Sequence, residues 1–220
     1  MDGGMNDIQF VNWIVPSLNA SEKNAEIDAL TARSGADLEE LLIQIGVAFP
    51  EAQIVVVGYY PVLSDASRGA LSGLELFLSL VVPDIDISWS SIPPSATVDS
   101  ALIDATIRQT AYNLDQLHFR MQEAVDAANA ELGVTNIQFV DPEFGAENSM
   151  YAPNSFLFEL YLENGIHLRS SDGLLSERQH ICAQIFKGAF GSRKFCECTG
   201  AAHPNQKGAQ RYLDRIMSVL

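Results

Sequence analysis

The apolar positions of this chain switch between helical and strand spacing, and the switches mark its elements. From Ser34, the segment Asp37-Leu38-Glu39-Glu40-Leu41-Leu42-Ile43-Gln44-Ile45 carries acidic residues in its first turn. There they face the positive end of a helix dipole, and the helix has to end before Pro50. Directly after it, Ile54-Val55-Val56-Val57-Gly58-Tyr59-Tyr60 is a continuous run rich in β-branched residues. Such a run predicts a strand buried on both faces, as in a parallel sheet covered by helices. Ile103, Ile107, Ala111, Leu114, Met121, Val125 and Ala128 recur at intervals of three, four and seven, which predicts a long amphipathic helix ending near Gly133. Ile137-Gln138-Phe139-Val140 is then a short strand closed by Asp141-Pro142. Asp141 falls at the C-terminal end of that strand, where ligand sites collect on open α/β sheets.

Between these elements, residues 61–100 are too long for an ordinary βα connection and are rich in Ser and Pro from Ser88 to Ser95. Leu74, Leu76, Phe77, Leu78, Leu80, Val81 and Val82 give the stretch an apolar patch of its own. It reads as a lid-like insertion or as a small helical subdomain. No internal repeat and no clean domain boundary is visible, so residues 1–220 read as a single α/β domain.

Composition narrows the class. At 47% hydrophobic and 19% charged, the 220 residues can bury the core of one medium-sized domain. A net charge of −15 repels phosphate backbones and anionic membrane surfaces, so nucleic acid is excluded as an expected partner. No apolar run approaches the roughly 20 residues a membrane-spanning helix needs. No signal peptide is visible at the N-terminus, and no cofactor or metal is called for.

The candidate chemistry lies at the two ends. Gly3-Gly4-Met5-Asn6-Asp7 is a turn able to present an amide side chain, and Gly200-Ala201-Ala202-His203-Pro204-Asn205-Gln206-Lys207-Gly208-Ala209 sets a histidine before a terminal helix. In order, Gly-Gly-x-Asn-Asp, a helix, Ile-Val-Val-Val-Gly-Tyr-Tyr-Pro, a long helix, Phe-Val-Asp and His-Pro-Asn-x-x-Gly-Ala resemble the SGNH (GDSL-type) hydrolases over nearly the whole chain. The resemblance implies a flavodoxin-like three-layer α/β/α fold with a parallel sheet. It also implies a serine esterase or acyl hydrolase, with a lipid, an acylated sugar or a similar ester as substrate. His203 would be the general base, Asn6 the side-chain donor to the oxyanion, and Gly4 the residue that permits the tight backbone of the oxyanion loop. Pro204 restricts His203 to an extended backbone.

Two parts of the family pattern are absent. The Gly-Asp-Ser motif that carries the nucleophile does not occur, so the chain resembles the C-terminal portion of a hydrolase, starting at the third motif and lacking its first strands. Such a piece is expected to expose sheet edges and to self-associate. The aspartate that often stands three residues before the catalytic histidine is replaced by Gly200. A backbone carbonyl can serve in its place, and Asp141, Asp172 and Glu197 are the candidate carboxylates. Ser64 and Ser149 sit near strand ends but lie in no nucleophile elbow. His118 and His167 read as structural or surface residues.

Cys182, Cys196 and Cys198 cluster ahead of the histidine. An exported hydrolase would join Cys182 to Cys196 or Cys198 and so staple the loop that carries His203, which points to a secreted or cell-envelope protein. Three reduced thiols, or a zinc site that includes His180, are the alternatives. The competing function is a catalytically inactive SGNH-like module that binds carbohydrate or another ligand, with Trp89 available to stack on a sugar.

Overall fold

The computed structural model describes residues 20–70, 100–163, 167–185, 196–197 and 200–220. Gly4 and Asn6, residues 71–99 of the expected insertion, and Cys198 lie outside them. The described residues form a mixed α/β structure that is mostly helical. In chain order come α1 (Ala20–Ala48), β1 (Ile54–Val57), α2 (Ser100–Leu132), β2 (Ile137–Val140), β3 (Leu160–Glu163), β4 (His167–Ser170), α3 (Leu175–Ile185) and α4 (Gln206–Met217). Short 3-10 turns at Asp65–Ala70 and Ala146–Asn148 complete the list. The chain divides into two compact units, one of Met1–Pro61, Asp104–Glu143 and Gln210–Leu220, the other of Val62–Ile103 and Phe144–Ala209.

In the first unit β1 and β2 pair in parallel, Ile54 opposite Ile137 through Val57 opposite Val140. Leu42 of α1, Val125 and Ala128 of α2 and Ile137 of β2 form one buried cluster, closed by Leu38, Ile54, Val56, Leu132 and Phe139. Both helices therefore contribute their apolar stripe to the strand pair, and each buried aliphatic side chain stabilises the fold by about 1.5–3 kcal/mol. A second cluster joins Ile27 of α1 to Leu117 of α2. The Asn129 side chain ties helix to strand, donating to the Ile137 carbonyl at 2.8 Å and accepting from the Ile137 amide at 3.2 Å. α2 stops where the sequence predicts: Gly133 is left-handed at φ 66°, and the Val134 amide bonds back to the Asn129 carbonyl at 3.0 Å.

Two expectations are corrected here. α1 does not begin near Ser34 but runs from Ala20 straight through Gly35. A Cβ at Gly35 would stand 3.1 Å from the Arg120 Cβ, so this glycine is a point of close helix approach rather than a boundary. β1 ends at Val57, short of Tyr60, and its four residues are half-buried instead of enclosed on both faces. Among the described residues β1 has β2 as its sole strand partner.

The second unit holds an antiparallel hairpin, β3 with β4, Leu160 opposite Ser170 and Glu163 opposite His167. A disulfide joins Cys182 of α3 to Cys196 across a Cα–Cα distance of 5.9 Å. Phe144 and Phe156 meet edge to face at 5.2 Å, and Met150, Leu157 and Leu160 are fully buried.

Candidate active site

The backbone around His203 is set by hydrogen bonds to the segment 156–158. The Phe158 amide donates to the His203 carbonyl at 2.8 Å, the Ala202 amide to the Phe158 carbonyl at 2.9 Å, and the Asn205 amide to the Phe156 carbonyl at 2.8 Å. The motif after the histidine explains itself in the same place. Asn205 caps α4, its Oδ1 accepting from the amides of Lys207 at 2.9 Å and Gly208 at 3.2 Å. Its Nδ2 donates to the carbonyls of Ser155 and Leu157 at 3.1 and 3.3 Å. Gly208 has to lack a side chain, because a Cβ there would collide with the Phe156 carbonyl oxygen. One asparagine and one glycine thus lock the helix start onto the strand-like segment that holds His203.

The imidazole is exposed, and its Nδ1 lies 3.2 Å from the Ala201 carbonyl oxygen. A carbonyl can only accept, so in the neutral ring the proton is on Nδ1 and the lone pair on Nε2. That is the tautomer a general base needs. The turn is strained to achieve this: Ala202, between acceptor and donor, has a left-handed φ of 63°.

Asp141 and Asp172 each have a partner of their own. Asp141 faces His118, its Oδ2 3.8 Å from Nδ1, while His118 Nε2 donates to the Tyr59 carbonyl at 2.9 Å. With Nε2 so engaged, His118 is a structural tie at the end of β1, edge-on to Phe139. Glu197 is 2% exposed. Asp172 is engaged by Arg178, Nη1 to Oδ2 at 3.0 Å and Nη2 to Oδ1 at 2.5 Å, and Oδ1 also accepts from the Leu174 amide at 3.1 Å. Burial pushes the Asp172 carboxyl up, but the bonds and charge of Arg178, with the bond from the Leu174 amide, outweigh it and hold the group below the usual carboxylate range.

The two serines named from the sequence come together in one hydrogen-bonded group. Ser64 Oγ lies 2.6 Å from Ser149 Oγ, and Ser67 Oγ lies 3.1 Å from the latter while donating to the Met150 carbonyl at 2.6 Å. Ser64 and Ser149 Oγ also lie 2.7 and 2.8 Å from the Ala146 carbonyl oxygen, which accepts from whichever hydroxyl does not donate to the other serine. All three serines are buried, and these bonds pin the Ser64 turn to the 146–150 turn. The disulfide occupies two of the thiols that a zinc site would require as thiolates. Exposed His180 pairs with Gln184 at 2.9 Å, and among the described residues no cluster of three His, Cys, Asp or Glu could hold a metal.

Sequence reasoning missed Arg178, which bridges Asp172 to the backbone ahead of His203, its Nη1 donating to the Glu197 carbonyl at 3.2 Å. It also missed the β3–β4 hairpin, although Asn164-Gly165 between two apolar alternations is a strong hairpin signal. No helix of the described residues is long and apolar enough to cross a membrane. Compared with protein families, curated proteins and solved structures, the chain matches none.

Proposed function

We propose that the chain is the base-bearing part of an SGNH-type serine esterase or acyl hydrolase, on a flavodoxin-like three-layer fold whose nucleophilic serine is not among these 220 residues. The observation that supports it is the contact of His203 Nδ1 with the Ala201 carbonyl on an exposed ring, which in the neutral imidazole leaves the lone pair on Nε2. In this reading a serine hydroxyl attacks the ester carbonyl while Nε2 takes its proton, and the imidazolium then returns that proton to the leaving alcohol. Water follows the same route and releases the acid. Asn6 donates to the oxyanion, and the Ala201 carbonyl does the orienting work that an aspartate does elsewhere.

The test is to translate the frame upstream of the Met1 codon, express the whole reading frame, and measure p-nitrophenyl ester hydrolysis with its His203→Ala and Asn6→Ala variants. Loss of about 10³-fold or more in kcat for His203→Ala and about 10²–10³-fold for Asn6→Ala is expected. A reading frame with no serine nucleophile, or a His203→Ala variant as active as its parent, would overturn the hydrolase and favour the inactive ligand-binding module.

A further inference from the structure

Position 200, three residues ahead of His203, is a glycine whose missing side chain is accounted for by a specific occupant. A Cβ built on Gly200 would collide with the Asp172 carboxylate and lie 2.6 Å from Arg178 Nη1 and 2.7 Å from Nη2. The ion pair therefore rests directly on the backbone of the histidine turn. Its guanidinium also donates to the Glu197 carbonyl, one residue from the disulfide that anchors Cys196 to α3. Asp172 in turn is fixed by the Leu174 amide at the entry to α3.

These contacts hold one side of the turn, and the bonds to Phe158 hold the other. Between them sit the strained Ala202 and the Ala201 carbonyl that bonds to Nδ1. A left-handed alanine persists only where its surroundings over-determine it. The pair is 4% exposed at Asp172 and 18% at Arg178, so the clamp is held away from the full screening of solvent.

We infer that Asp172 and Arg178 are the positioning residues of His203, holding the backbone at Glu197 and Gly200 so that the Ala201 carbonyl fixes the neutral imidazole in its Nδ1–H tautomer. As a statement about a catalytic base this rests on the proposed hydrolase reading; as a statement about the tautomer it does not. The pair acts through the backbone and touches no substrate.

The experiment is ¹⁵N-histidine NMR of the chain above the imidazole titration, with the His203 signals among the four histidines assigned by their loss in His203→Gln. The wild type shows Nδ1–H with an unprotonated Nε2. The double variant Asp172→Leu/Arg178→Met is chosen because replacing both members of a buried pair by apolar groups leaves no unpaired charge. In it the Nε2–H form becomes the major one, and in the full reading frame kcat for p-nitrophenyl esters falls about 10- to 100-fold with KM unchanged. A variant with native near-ultraviolet circular dichroism that keeps the Nδ1–H tautomer overturns the inference. Should the double variant not fold, Arg178→Lys replaces it: lysine keeps the charge but lacks the fork that serves carboxylate and carbonyl together. Folded Arg178→Lys with the wild-type tautomer likewise overturns the clamp. Unchanged hydrolysis in His203→Gln removes the base role alone, and the tautomer still decides the positioning.

Discussion

At the scale of single residues, the His-Pro-Asn-x-x-Gly motif was legible because its asparagine and glycine act locally, within one turn of the helix they start. Gly208→Ala tests this. Helix propensity alone favours alanine by about 1 kcal/mol, but the Phe156 carbonyl leaves no room for a methyl group, so a net loss of about 1–3 kcal/mol in urea unfolding is expected. The Asp172–Arg178 clamp was not legible, since nothing at Gly200 announces a partner on a distant loop. It does have a titration signature. The folded carboxyl lies below its unfolded value, so its contribution to stability is complete above about pH 4 and is lost as pH falls through the lower, folded value. Acid unfolding followed by circular dichroism should therefore be less steep below about pH 4 in Asp172→Leu/Arg178→Met than in the wild type. A single Arg178→Met, by contrast, leaves a buried charge unpaired and should cost about 3–5 kcal/mol near neutral pH.

At the scale of elements, α2 and β2 were readable because periodicity over a long helix and a turn signal after a short strand are unambiguous. The start of α1 was not: Gly35 has the look of a break, and only the approach of Arg120 reveals why a helix keeps it. The enclosed strand was over-read, because β-branched composition reports compatibility with a sheet and not how many layers cover it. Leu42 is where the helix packing is most exposed to test. It is 2% exposed within the cluster shared by α1, α2 and β2, and Leu42→Ala should cost about 2–5 kcal/mol. The Cys182–Cys196 link closes a separation of 14 residues, so Cys182→Ser/Cys196→Ser should lower stability by about 3 kcal/mol. Calorimetry with and without reductant reads the same quantity in the unmutated chain.

At the scale of the whole molecule, the charge of −15 is the property the sequence states most directly, and it acts on every conformation. Compact states concentrate that charge, so screening should favour folding. Raising NaCl from about 0.02 to about 0.5 M is expected to lift Tm by about 2–4 °C for each kcal/mol of repulsion relieved. A fall in Tm would mean that attractive pairs such as Arg211 and Arg215 on Glu143 outweigh the excess of acid. The vacant side-chain position at 200 also bears on how such a chain can change over generations. An aspartate introduced there meets an occupied space, and loss of Asp172 or Arg178 alone strands its partner. Each single step is therefore deleterious although the combined exchange is not. Positions 172, 178 and 200 should be inherited as a block, and among homologous chains a carboxylate at 200 should occur only where the other two have already departed from Asp and Arg.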